Sequence, residues 1–141
     1  MDLLDEVLGL RDLSRPELLD RLGLGAGAVD EGRRYEGLEG LDMAHDPDVH
    51  PARFYFRGDE LVMIYLSGPE LSLDELRAHV SGAGVSLRSR QAKPANLEVH
   101  PGDGIAFSEL DDEIGFVEVF PPTTEQAYRD RIYREPGPFR K

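Results

Sequence analysis

Two histidines and three aspartates fall within nine residues in Asp42-Met43-Ala44-His45-Asp46-Pro47-Asp48-Val49-His50. Imidazole and carboxylate in such density could hold a divalent cation and support metal-dependent hydrolysis. His100 and Asp103 form a second, sparser group further on. The spacing matches no named metal motif, however, and aspartates in a proline-interrupted loop ordinarily cap backbone N–H groups in turns. The expectation is no resident metal and no other cofactor, with His45, His50 and His100 as the ligands of the alternative, a metal-dependent hydrolase. Nucleophilic catalysis finds no support. There is no cysteine and no Gly-x-Ser-x-Gly elbow. Gly23-Leu24-Gly25-Ala26-Gly27 has the composition of a phosphate loop but follows a predicted helix and lacks the Lys-Ser/Thr that would come next. Asp111-Asp112-Glu113 reads as a solvated hairpin turn, since a glycosidase pair needs two carboxylates on separate elements across a cleft.

One basic stretch stands against an acidic background. Arg88, Arg90 and Lys93 lie in or beside a predicted strand, and Arg forks bind carboxylate or phosphate in bidentate fashion. A charged edge that resists aggregation is the structural alternative. The chain as a whole carries 16 basic and 28 acidic residues among 141, a net charge of −12. That field repels nucleic acid and anionic membranes and attracts a basic protein partner. It also keeps a domain soluble without any partner at all. No apolar run approaches the roughly 18–20 residues of a membrane span. The first residues, Met1-Asp2-Leu3-Leu4-Asp5-Glu6, are acidic where a secretion signal would be basic. A cytoplasmic protein is expected.

The elements that must position these groups are punctuated clearly in places. Leu3, Leu4, Val7 and Leu8 share a helical face over residues 1–9. Ser14-x-x-Glu17 is a capping box with Pro16 in the first turn, and Gly23 closes that helix. Residues 23–50 read as loop, with a short strand around Arg34–Leu38. Arg53–Arg57 alternates, and with Leu61–Leu66 it predicts a β-hairpin across Gly58-Asp59. Ser72-x-x-Glu75 opens a third helix, and Gly82 or Gly84 stops it. Strands follow at Val85–Arg90, Ala95–Val99, Ile105–Glu109 and Ile114–Phe120. The pair Pro121-Pro122 ends the last strand, and Thr123 with Gln126 predicts a capped C-terminal helix. The predicted core is Leu18, Leu22, Phe54, Phe56, Val62, Ile64, Leu76, Val80, Ile105, Phe107, Phe116 and Val117.

Two fragments recur. Leu13-Ser14-x-x-Glu17-Leu18 returns 58 residues later as Leu71-Ser72-x-x-Glu75-Leu76, and Val49-His50-Pro51 returns 50 residues later as Val99-His100-Pro101. Helix, loop and hairpin therefore occur twice in the same order, suggesting internal repeats 1–68 and 69–120 with a helix and tail over 121–141. This pattern resembles the β-lactamase-inhibitor-protein fold and the related small outer-membrane-assembly lipoproteins. Those proteins pack a short helix pair, its second helix opened by a Ser/Thr-x-x-Glu cap, against an antiparallel sheet, and the inhibitor carries the unit twice. The resemblance implies architecture and no functional residue. Those relatives are exported and use cysteine, which this chain lacks.

The expected protein is a single α+β domain over 1–141, with short helices on one face of a mainly antiparallel sheet in two imperfect αββ repeats. Its expected role is non-catalytic: a protein-binding or inhibitory, immunity-like module whose acidic surface meets a basic partner. Asp42, Asp46, Asp48, Asp111, Asp112 and Glu113 are the candidate partner-binding residues, and Arg88, Arg90 and Lys93 a candidate anion site. A third reading is self-association through an aromatic strand face made of Phe54, Tyr55, Phe56 and Tyr65.

Overall fold

Helix α2 (Arg15–Leu22) begins where its residues require it to. The Ser14 hydroxyl accepts the Glu17 N–H and the Glu17 carboxylate accepts the Ser14 N–H, while Gly23 ends the helix at φ +69° in the left-handed region. Helix α1 (Leu3–Leu10) precedes it and runs through Gly9. Helix α3 (Leu73–Ala78) is capped by Ser72 as expected. The last helix, α4 (Glu125–Arg131), is capped by Thr124 and not by Thr123. The Thr123 N–H is already engaged with the Pro101 carbonyl at 2.8 Å, so its residue belongs to the connection and the next hydroxyl takes the cap.

The computed structural model describes residues 3–35, 38–67, 71–81, 84–88, 96–110 and 113–133, with 26, 30–35, 38–40, 88 and 110 described in backbone alone. Among them are eight strands: β1 (Val29–Tyr35), β2 (Leu38–Ala44), β3 (Arg53–Arg57), β4 (Glu60–Ser67), β5 (Val85–Arg88), β6 (Asn96–His100), β7 (Ile105–Leu110) and β8 (Glu113–Val119). They form one antiparallel sheet in the order β1-β2-β3-β4-β8-β7-β6-β5. The protein is α+β. Two four-stranded meanders meet at their last strands, β4 and β8, through Ile64↔Val119, Tyr65↔Glu118, Leu66↔Val117 and Ser67↔Phe116. The second half carries the four strands expected along it, the first carries four where a short strand and a hairpin were expected, and both exceed the two of an αββ unit.

The largest departure lies in residues 23–50. The segment expected to be mostly loop contains β1 and β2, paired through Val29↔Ala44 and Asp30↔Met43, and β2 is zipped to β3 through Met43↔Tyr55 and Ala44↔Phe54. Glycine and acidic residues hide the period-2 signal there. Such strands are held by their neighbours and not by propensity, which is why the pattern is silent.

Alternation along the strands sends two sets of side chains to opposite faces. Ala44, Phe54, Phe56, Leu61, Ile64, Leu66, Ile105, Phe107, Val117 and Val119 pack with Leu4, Val7 and Leu10 of α1, Leu18 of α2 and Leu76 of α3. Leu41, Met43, Tyr55, Val62, Met63, Leu97, Val99 and Ala106 form a second core with Phe120 and with Tyr128 and Ile132 of α4. Three helices therefore cover one face and the C-terminal helix lies on the other. Val62 and Phe116 were expected beside Phe54 and Phe56, yet both sit on the α4 side. For Val62 the cause is a β-bulge. Tyr55 pairs with Met63 and Phe56 with Leu61, so Val62 is the extra residue that swaps faces. Phe116 alternates with the buried Val117 and stacks on Tyr65, ring centroids 5.7 Å apart.

Phe107 is fully buried between the halves of the helix-side core. Truncating such a ring costs about 3–5 kcal/mol, against about 5–15 kcal/mol for a whole domain. Phe107→Ala should melt far below the wild type in a thermal scan. Gly104, at φ +68°, should be as intolerant, because a Cβ there would stand 2.1 Å from the Phe120 carbonyl oxygen. Gly104→Ala should lose cooperative melting.

Candidate functional site

The two Val-His-Pro fragments occupy corresponding places in the two meanders, each leading into the third strand. They stand four strands apart in the sheet, one before β3 and the other at the end of β6. His50 precedes β3 beside the start of that strand, where Arg53 pairs with Tyr65. His100 ends β6 in the row His100, Ile105, Val119, Ile64 and Phe54, so it is nearly level with the start of β3 and separated from it across the sheet. Four inter-strand spacings of about 4.8 Å put β3 and β6 roughly 19 Å apart, against a zinc–nitrogen bond of about 2.0–2.1 Å. His50 and His100 cannot share an ion. Among the described residues no group of three or more histidines and carboxylates is placed to hold a metal.

Each histidine has a local task instead. The buried His50 accepts the Ala52 N–H at Nδ1, 3.0 Å away, so its proton sits on Nε2 and is donated to Glu6 of α1. His100, equally buried, donates from Nε2 to Glu98 at 2.6 Å and stacks on Phe107, ring centroids 6.2 Å apart. Burial alone would raise the Glu98 carboxyl. The His100 hydrogen bond and the Arg77 guanidinium outweigh it and hold Glu98 below its ordinary value. Arg77 also reaches Glu109 at 3.3 Å and lies over the Phe107 ring. His45 is partly buried near Arg53, and both burial and that charge push its imidazole below the usual value.

The candidate acidic residues divide. Asp42 is held by Arg15 at 2.7 Å, and the same guanidinium lies over Phe56. Asp46 accepts the Asp48 N–H at 3.0 Å within the β2–β3 loop, as turn chemistry predicts. Asp48 and Glu113 are exposed. Register places the β2–β3 loop and the start of β8 at the same end of the sheet, separated by β3 and β4. Asp111 and Asp112 lie outside the described residues, as do Arg90 and Lys93; Arg88 is described only as the last residue of β5. The four aromatic residues do not share one face. Phe54 and Phe56 are wholly buried beneath the helices, Tyr55 is buried on the other side, and Tyr65 is partly buried there against Phe116.

Sequence reasoning missed the concavity the fold creates at the other end. A groove of about 330 Å³ is lined by Arg11, Asp12, Leu13, Ser14, Glu17, Asp59, Glu60, Leu61 and Pro121. It forms because the Arg15 N–H binds the Asp59 carbonyl at 2.9 Å and draws the start of α2 against the β3–β4 turn. Asp12, Glu17, Asp59 and Glu60 are all exposed there. Hydrogen bonds from the Ser14 backbone and hydroxyl keep the Glu17 carboxyl below its ordinary value. The one cation in the lining, Arg11, donates to the Asp103 carbonyl at 2.6 Å. An adjoining cleft of about 170 Å³ shares Glu60, Leu61 and Pro121 and continues along Val62, Phe120, Pro122 and Ile132, with Arg131 paired to Glu60 at its mouth. Beneath it the buried Tyr128 hydroxyl donates to Glu118 at 2.5 Å, and burial followed by that carboxylate raises the phenol far above its ordinary value. Asp59 was visible only as a turn residue and Glu17 only as a cap. Their convergence had no sequence signal.

No protein-family model, curated protein or solved structure matches the chain. The functional reading rests on this geometry.

A histidine whose imidazole is depressed in the folded chain is protonated more readily when unfolded. His45 therefore contributes stability above an unfolded value near 6.5, and that contribution is lost as pH falls through its lower folded value. Proton NMR should give a His45 midpoint below 6.5, and His45→Gln should flatten the fall in melting temperature on acidification below about pH 6.5.

Proposed function

We propose that this protein is a non-catalytic binding module, inhibitory or immunity-like in kind, that takes a basic protein partner through its acidic surface. The observation that carries the reading is the groove at the β3–β4 turn, where Asp12, Glu17, Asp59 and Glu60 line a concave surface, Glu60 paired with Arg131 and the single lining cation, Arg11, engaged with the Asp103 carbonyl. A net charge of −12 adds long-range attraction over a Debye length of about 8–10 Å. Among the described residues Val49 is the one exposed large hydrophobic side chain, which favours recognition by charge over recognition by apolar patch. A helix pair against an antiparallel sheet, the arrangement α1 and α2 make with β1–β4, is in keeping with the inhibitor-like architecture. No helix among the described residues is long and apolar enough to cross a membrane, and a cytoplasmic site of action fits the absence of cysteine. The hydrolase reading has less support, because His50 and His100 serve separate carboxylates four strands apart.

Charge-steered association should exceed the unsteered rate of about 10⁵–10⁶ M⁻¹s⁻¹ at low salt and fall toward it as salt rises. The triple variant Asp12→Asn, Glu17→Gln, Asp59→Asn should slow capture of an oligo-arginine probe in stopped-flow measurements while melting near wild type. Gln at 17 preserves the capping box, and Asp59 uses its backbone for structure. Neutralising Asp111, Asp112 and Glu113 should have the smaller effect. Equal rates for wild type and the groove variant at low salt would overturn the reading, as would an acidic protein as the partner captured from a native lysate.

A further inference from the structure

The fourth histidine points to a device the binding reading does not use. His79 is the C-terminal cap residue of α3, and both of its ring nitrogens are engaged. Nδ1 lies 2.8 Å from the Glu75 carbonyl oxygen, four residues back, and Nε2 lies 2.6 Å from Asp5 Oδ1 in the first turn of α1. A carbonyl and a carboxylate are both acceptors, so each contact needs a proton on the nitrogen. A neutral imidazole has one N–H and can serve only one of them. The geometry therefore selects the imidazolium, which also suits the negative end of a helix.

We propose that His79 and Asp5 form a proton-dependent clasp: the imidazolium fastens α1 to the end of α3, and loss of its proton loosens α1. When the proton leaves to water, one ring nitrogen turns a lone pair toward either the Asp5 carboxylate or the Glu75 carbonyl. One of the two contacts must then open. What α1 covers makes this consequential, since Leu4, Val7 and Leu10 are its buried anchors in the helix-side core.

His50 makes the second fastening and behaves differently. Its Nδ1 accepts the Ala52 N–H, so the neutral ring already satisfies both its contacts, and a further proton would break the one to Ala52. Adjacent carboxylates, Asp5 and Glu6, are thus held by two imidazoles that require different proton counts. The other charged groups on the elements around the clasp are Asp74, exposed in the first turn of α3, Glu75, whose carboxylate accepts the Ser72 hydroxyl, Arg77, bound to Glu98 and Glu109, and Asp103, which holds Ser81 two residues beyond the histidine. Helix α1 runs directly into Arg11 and Asp12, so the clasp also steadies one wall of the groove.

The sign follows from linkage. A histidine that gains its partner as the cation contributes fully below the unfolded value near 6.5, and the contribution is lost as pH rises through the folded value. Two measurements on the intact chain test the proposal, and neither needs a partner. The first is the ¹⁵N shift of the His79 ring: at pH 7, where a free imidazole is mostly neutral, both nitrogens should still show protonated shifts. The second is amide exchange in α1. Between pH 6 and 9 the amides of Val7, Leu8 and Leu10 should lose about tenfold in protection beyond intrinsic base catalysis, one pK unit being tenfold. Asp5→Asn should abolish that extra loss and leave the pH dependence of β3 and β7 amides unchanged. A neutral His79 ring at pH 7 would overturn the clasp even if every variant failed to fold. So would α1 protection that follows intrinsic exchange alone, or an unchanged pH dependence in Asp5→Asn.

Discussion

The antiparallel pairing of β4 with β8 is the constraint on which the rest depends. Without it the chain would be two four-stranded meanders, each with an exposed final strand. With it, Ile64, Leu66, Val117 and Val119 come to one face at complete burial, and Tyr65, Phe116 and Glu118 come to the other. The pairing is antiparallel, so connections that correspond in the two halves run in opposite directions along the strands. That is why the two Val-His-Pro fragments, four strands apart, enter their strands from opposite sides. It is also why the β3–β4 turn, the β6–β7 turn and the lead-in to α4 crowd together at one end, where the groove and the adjoining cleft form.

Arginine does most of the work of holding separate elements together on this acidic chain, in which 14 of the 16 basic residues are arginine. Arg15 connects α2 to β2 and to the β3–β4 turn, with its guanidinium on Asp42 and over Phe56. Arg77 connects α3 to β6 and β7 through Glu98 and Glu109 and lies over Phe107. A planar fork with several donors can bind a carboxylate and cover a ring at once, which a lysine cannot do. Part of the negative charge is consequently structural. Other carboxylates, those of Asp12, Asp48, Asp59 and Glu113 among them, face solvent.

Histidine is likewise a fastener here more than a reagent. His50 joins the β2–β3 loop to α1, His79 joins α3 to α1, and His100 orders Glu98 over the helix-side core. Gly84 is tied to the last of these, because a Cβ there would stand 2.8 Å from the His100 ring. A cluster of histidine and aspartate that looked like metal chemistry in one dimension is turn and docking chemistry in three.

What the chain determined locally could be read directly. The capping box at Ser14, the N-cap at Ser72, the left-handed glycine at 23, the β3–β4 hairpin around Gly58 and the helix-side core of Leu18, Phe54, Phe56, Ile64, Leu76, Ile105, Phe107 and Val117 all depend on residues within a few positions of one another or on strict alternation. What escaped depends on distant partners. Strands β1 and β2 exist because β3 zips them into the sheet, and Val62 changes face because a bulge opposite Tyr55 shifts the register by one. The burial of Tyr55 needed α4 on a face that the pattern could not assign. The same holds for the site. Asp48 and Glu113 were legible as exposed charge, whereas the convergence of Asp12, Glu17, Asp59 and Glu60 arises from an Arg15–Asp59 backbone contact 44 residues apart in the chain. Periodicity and caps report what a segment does to itself. Register, bulges and docking set which segments meet, and those are decided only when the whole sheet closes on its helices.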